Sequence, residues 1–194
     1  DLGPPSRASS RTPDYPGGQL AWLEACLKYQ MVVIAVGRRV GKTTFVRFLY
    51  LREAAVTPGL YQACYMAQNH KRAWAFYDSM LQAWDKIGLV KRHRDQGQDR
   101  WIETHSISWG DEPTVNEGAV FHFWSGEPGA HQGTAGEGLN RAVIDEAPLI
   151  EEKAWTSTLS PMLTTTRGKG LIIGSPYPDG VGFDWVEREW MKGQ

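Results

Sequence analysis

The sequence predicts an α/β fold, with a mainly parallel central sheet flanked by helices in three layers. Three observations predict it. Short apolar runs alternate with amphipathic helical stretches, the order expected of parallel strands joined by right-handed crossovers. Three of those runs end in residues suited to chemistry, and ligands of open parallel sheets sit at the carboxyl ends of strands. The 194 residues are 41% apolar and 22% charged, a globular composition. A chain of this size suits one domain and buries roughly 70% of its unfolded surface.

The elements follow in order. Residues 1–18 are rich in Pro, Ser, Gly and Arg without periodicity. We expect a flexible arm over 1–14 and a single domain over 15–194. Residues 19–29 read as a helix with Leu20, Leu23 and Leu27 on one face. Residues 31–36 form a β-branched apolar run, a buried strand. A glycine-bearing turn leads into a helix over 42–55. Pro58-Gly59 breaks the chain before a second buried strand over 60–66. Trp74, Tyr77, Leu81, Trp84 and Ile87 recur at helical spacing over 70–87. Residues 91–100 read as a charged connector. Two alternating segments, 101–108 and 119–124, read as strands suited to pair with each other. The glycine-rich 125–138 is a loop, 141–145 a third buried strand, 151–164 a helix, 170–174 a strand and 181–192 a last helix.

Gly37-Arg38-Arg39-Val40-Gly41-Lys42-Thr43-Thr44 lies between a strand and a helix. A phosphate-binding loop needs glycine where backbone approaches phosphate. It needs Lys for the terminal phosphates and a Ser/Thr hydroxyl for Mg²⁺. Gly41, Lys42 and Thr43 match, but Val36 stands where the strict pattern has its first glycine, which is displaced to Gly37. Backbone N–H groups and the helix N-terminus complete the anion site. Arg38 and Arg39 read equally as contacts to a γ-phosphate or a neighbouring carboxylate, and as solvated loop charges.

The run 142–144 ends in Asp145-Glu146. Asp145 suits Mg²⁺, which takes one or two carboxylates plus phosphate oxygens. Glu146 suits a general base that polarises water. The third strand end, Gly174-Ser175-Pro176, offers a small hydroxyl near the terminal phosphate; alone it reads as an ordinary turn.

Lys and Arg total 21 against 22 Asp and Glu, a net charge of −1, so bulk charge does not announce a nucleic-acid binder. Cys26 and Cys64 stand alone in apolar settings, with neither metal spacing nor a disulfide framework, which points to a reducing compartment. The five histidines have no ligand spacing. No stretch of 18 apolar residues is present, which excludes a membrane-spanning helix.

Taken together, these residues resemble the ATPase domain of the large terminase subunit of tailed bacteriophages, the DNA-packaging motor. The similarity runs from about residue 15 to 193. The loop at Gly37–Thr43 resembles that family's deviant Walker A, with an Arg inside it. Gln19 stands where the family has an adenine-recognising Gln. Tyr65-Met-Ala-Gln68 resembles the segment after its second core strand. Gly138-Leu139 and Val143-Ile-Asp145-Glu146-Ala147 resemble the approach to its Walker B and Walker B itself. Trp155, Pro161, Leu163, Arg167-Gly168, Ser175-Pro176 and Gly180 follow the path to its coupling motif.

The resemblance implies a three-layer P-loop NTPase of the RecA/ASCE kind that binds ATP and Mg²⁺. It implies Glu146, Lys42 and Arg39 in catalysis. Gln19, Gly37, Arg38, Arg39, Val40, Gly41, Lys42, Thr43, Thr44 and Ser175 would hold the nucleotide, and Thr43 and Asp145 the metal. It implies double-stranded DNA, a portal protein and a small terminase subunit as partners. A homo-oligomeric ring is expected when assembled, with a monomer compatible with the isolated chain. The expected location is the host cytoplasm, at the procapsid portal, with no membrane. Two departures stand out. His131-Gln132-Gly133 occupies the place of an Arg-Gly pair that supplies a trans-acting finger in some members. The chain also ends without the family's nuclease domain, so no DNA cleavage is expected. A superfamily-2 helicase-like lobe and a non-hydrolysing, nucleotide-responsive scaffold are the competing readings.

Overall fold

Period-two alternation divides the side chains of the buried strands between two faces, and two sets of helices cover them. This is seen in a computed structural model, which describes residues 18–37, 39–97, 99–107, 116–128, 138–175 and 183–191. The expected N-terminal arm, Arg38, residues 129–137 with the His131 departure, and residues 176–182 lie outside the described residues.

The strands are β1 (Met31–Ala35), β2 (Gly59–Ala67), β3 (Val90–Arg94), β4 (Arg100–Thr104), β5 (Asn116–Ser125), β6 (Arg141–Asp145) and β7 (Lys169–Gly174). Their order in the sheet is β1-β7-β6-β2-β5-β4-β3. The first five run parallel, whereas β4 and β3 extend the sheet antiparallel beyond β5. On one face, α1 (Gln19–Lys28), α2 (Lys42–Val56) and α3 (His70–Asp85) bury Phe45, Leu49, Phe76 and Trp84 against Ile34, Tyr65, Phe121, Val143 and Ile173. On the other face, α4 (Glu152–Ala154), a π-helical turn (Trp155–Leu159), α5 (Ser160–Thr166) and α6 (Phe183–Met191) meet the alternate residues Cys64, Met66, Ile144 and Ile172. Both cysteines are buried free thiols. No helix among the described residues is long and apolar enough to cross a membrane.

Three expectations need correction. The charged connector contains strand β3, whose backbone pairs with β4 while Lys91, Arg92, His93 and Arg94 stay exposed. Ile87 falls beyond α3 and is 70% exposed; the buried stripe is Ala73, Phe76, Tyr77, Met80 and Trp84. Leu20 is 76% exposed, and Cys26 is the fully buried residue of α1.

One topological feature builds the site. Strand β7 lies between β1 and β6, with Ala35 opposite Gly174 and Ile173 opposite Asp145. The three chemically marked strand ends are therefore neighbours along one edge of the sheet.

Candidate active site

The loop after β1 turns into α2 through Gly41, whose φ of +84° is left-handed. A Cβ there would lie 2.3 Å from the Gln19 amide, which would have to swing aside, so the left-handed conformation is what calls for glycine. Gly37 differs: its φ is not positive and an added Cβ meets nothing within 4 Å. The fold itself does not require a glycine at that position. Gly41 offers no side-chain cap, and the first turn of α2 carries no acidic residue. The N–H groups and partial positive charge of that helix end are thus unspent on side chains, as an anion cradle requires.

Lys42 opens α2 and is only 9% exposed. Its Nζ donates to Ser175 Oγ at 2.8 Å and to Glu146 Oε1 at 3.1 Å. The other Glu146 oxygen, Oε2, accepts the Ser175 N–H at 3.2 Å. One ammonium therefore joins the ends of β1, β6 and β7. Close packing makes this possible: a Cβ on Gly174 would lie 2.7 Å from Pro148 Cδ, so its absence lets the turn after Glu146 close on β7. That turn, Ala147–Leu149, is held from the other face by Trp185 Nε1, which donates to the Ile150 carbonyl at 3.0 Å.

Glu146 has φ 53° and ψ 44°, a left-handed conformation in a non-glycine residue. Such backbone costs about 1–3 kcal/mol and concentrates where function imposes it. Its N–H donates to Asp145 Oδ1 at 3.0 Å, and Tyr65 Oη donates to Asp145 Oδ2 at 2.5 Å. Burial raises the Asp145 pKa above its ordinary value, and Glu146 adds to the rise. The Tyr65 bond and Lys42 oppose it.

Other expected residues are placed less tightly. Gln19 Nε2 donates to the Gly41 carbonyl at 3.2 Å, so this side chain rests on the loop. Thr43 and Thr44 are exposed on the first turn of α2; Arg39 is exposed with φ 62°, and Val40 is half-buried. Among the described residues, no three His, Cys, Asp or Glu side chains cluster as a metal cage. The donor set fits Mg²⁺ nonetheless: a half-buried carboxylate oriented by uncharged donors and a hydroxyl at the start of α2 suit a cation that keeps waters and phosphate oxygens. Sequence reasoning missed the role of Tyr65, because a buried aromatic on a strand reads as core.

The chain has the RecA-like P-loop fold, with the glycine-bearing loop after β1 and the acidic end of β6 joined through Lys42 and Glu146. More particularly, the fold is that of bacteriophage large terminase ATPase domains. An Arg-to-Ala mutant of the Thermus phage P74-26 large terminase ATPase domain superposes with a TM-score of 0.66 at 19% identity, covering 87% of this chain and 68% of that one. The large terminase of a thermophilic bacteriophage gives 0.63 at 16% identity, covering 88% of this chain and 43% of its own. That second protein has also been solved with ADP and with ATP-γ-S. The HK97 bacteriophage large terminase gives 0.61 at 14%, covering 88% and 35%. The chain thus spans less than half of each of the latter two proteins. No protein-family model and no curated protein matches it.

Proposed function

We propose that the chain is a Mg²⁺-dependent ATPase that drives double-stranded viral DNA into a procapsid, as the ATPase domain of a large terminase. The observation that carries this reading is the meeting of Lys42, Glu146 and Ser175 at three adjacent strand ends. Gln19 recognises adenine, and the backbone of Gly37 to Thr44 cradles the phosphates, with Arg38 and Arg39 beside them. Thr43 and Asp145 hold Mg²⁺, which when bound screens the phosphate charge.

Lys42 is shared between Glu146 and Ser175, and a polyphosphate competes for it. As the ammonium turns to phosphate, Glu146 Oε1 is freed to accept a proton from water. The water oxygen bonds to the γ-phosphorus, the bond to the β–γ bridging oxygen breaks, and ADP and phosphate result. Ser175 loses or regains its Lys42 contact with the state of the phosphate, which suits it to report hydrolysis along β7.

The partners on this reading are double-stranded DNA, a portal protein, a small terminase subunit and further copies of the chain in a ring at the procapsid in the host cytoplasm. With a net charge of −1, DNA contact depends on the assembled ring and weakens with salt. We assign the chain no nuclease activity; metal-dependent nicking of plasmid by the pure protein refutes that assignment.

The test is steady-state phosphate release with Mg²⁺ over a range of protein concentrations, for wild type and Glu146→Gln. Loss of the base lowers the rate by about 10²-fold or more. A wild-type rate per chain that rises with concentration supports a site completed by a neighbour. Nucleotide affinity without phosphate release at any concentration favours the scaffold reading instead, and strand unwinding by the chain alone favours the helicase one.

A further inference from the structure

We propose that Tyr65 is a positioning residue for the metal-binding carboxylate, acting through Asp145; the inference rests on the ATPase reading above. Tyr65 is 3% exposed on β2 and its hydroxyl donates to Asp145 Oδ2 at 2.5 Å. Strands β2 and β6 run parallel with Tyr65 opposite Val143, so Tyr65 and Asp145 share a face on neighbouring strands, two residues out of step. The phenol spans that diagonal.

Its direction is set from the helix layer. The Tyr65 ring stacks on Phe76 of α3 with centroids 4.0 Å apart and planes at 29°. The Arg47 guanidinium of α2 lies over the same Phe76 ring at 5.6 Å and donates to Ser79 Oγ. The hydroxyl has a use that packing does not supply, since phenylalanine would fill the same core space. Tyr50 and Tyr61 behave likewise, giving their hydroxyls to the Cys64 carbonyl and to Glu53.

The geometry fixes the plane of Asp145. One oxygen accepts from Tyr65 and the other from the Glu146 N–H, so each retains a lone pair and the carboxylate does not rotate. Both donors are uncharged. An Arg or Lys at position 65 would orient Asp145 equally well but neutralise it and repel a cation. A phenol gives direction and leaves the negative charge for the metal. Partners of this kind, bonded to a metal ligand, typically govern affinity by about 10- to 100-fold.

The test uses Mn²⁺ as probe, with free Mn²⁺ read by electron paramagnetic resonance in the presence of ADP. Tyr65→Phe is expected to weaken Mn²⁺ binding by about tenfold or more. ADP affinity in EDTA stays unchanged, because Tyr65 touches Asp145 and not the phosphate loop. Should Tyr65→Phe fail to fold, Phe76→Leu keeps the hydroxyl and loosens its support: weaker Mn²⁺ binding sustains the inference, and unchanged binding overturns it. Wild-type binding of Mn²⁺ with ADP that Tyr65→Phe leaves unchanged overturns this inference alone. A wild-type chain that binds no Mn²⁺ with ADP overturns the ATPase reading and this inference with it.

Discussion

Asp145 shows how a site residue opposes the stability of its own fold. Its carboxyl is half-buried, and desolvation raises its pKa above 3.8. Between the unfolded and folded values the native state holds the proton more tightly than the unfolded chain does. Stability from this group therefore falls as pH rises from 3.8 through the folded value. Asparagine keeps the shape and discards the charge: its Oδ1 can still accept the Glu146 N–H, while its Nδ2 donates to the Tyr65 oxygen in place of the present bond. Asp145→Asn is expected to melt above wild type at pH 7 without ligand, with the gap closing as pH drops through the raised folded value to 3.8 and staying closed below it. The same variant loses Mn²⁺ binding. Thermal melts across pH check this, and an unchanged or lower Tm at pH 7 refutes it. The strained Glu146 beside it is consistent with its proposed role as base, because strained backbone concentrates at functional sites.

Elements are joined by a second buried charge, at the opposite end of β6. Arg141 is fully buried and its Nε donates to Glu53 Oε2 at 2.8 Å. Its Nη2 donates to Glu53 Oε1 and, at 3.0 Å, to the Cys26 carbonyl, while Tyr61 Oη donates to Glu53 Oε2 at 2.8 Å. The ion pair raises the Arg141 pKa against the opposing effect of desolvation. So enclosed, Arg141 cannot reach a neighbouring subunit; it ties α1, α2, β2 and β6 into one body. Removing one partner strands a buried charge, and Arg141→Met is expected to cost about 3–5 kcal/mol in urea denaturation. The double variant Glu53→Leu with Arg141→Met should recover most of that loss, because replacing a whole buried pair is often neutral. A double variant no more stable than the single one defeats this account.

Such links mark the limit of what periodicity can read. The apolar runs at β1, β2, β6 and β7 were legible because burial on both faces demands them, and the marked ends of β1, β6 and β7 lie together in the fold. Strand β3 was not, because an edge strand is held by backbone pairing while its long charged side chains face solvent. Tyr65 and Arg141 were hidden for the opposite reason. Each sits in a buried strand, and its role depends on a partner 80 or 88 residues away in sequence.

Across the whole molecule, stability and function divide along the sheet. Ala142, Val143 and Ile144 of β6 and Leu171, Ile172 and Ile173 of β7 are fully buried, and each of these strands is paired on both sides. Among the described residues strand β3 pairs only with β4, and its Lys91 and Arg92 meet Glu103 in partly exposed ion pairs that salt screens. Amide hydrogen exchange should follow this gradient. The β6 and β7 amides exchange only through global unfolding, and β3 through local opening that is faster by orders of magnitude. The three strand ends of the site thus belong to the most rigid part of the fold. On the proposed ATPase reading, nucleotide binding then acts through side chains and the loops they hold: Lys42 leaving Glu146, and the turn Ala147–Leu149 adjusting against Gly174. Adding ADP with Mg²⁺ is expected to raise protection at the start of α2 and to change it in the turn after Glu146. The central strands should follow only the global stability. Binding that exposes β6 or β7 amides to faster exchange would mean that the sheet itself deforms, and would overturn this division between a rigid frame and a mobile set of contacts.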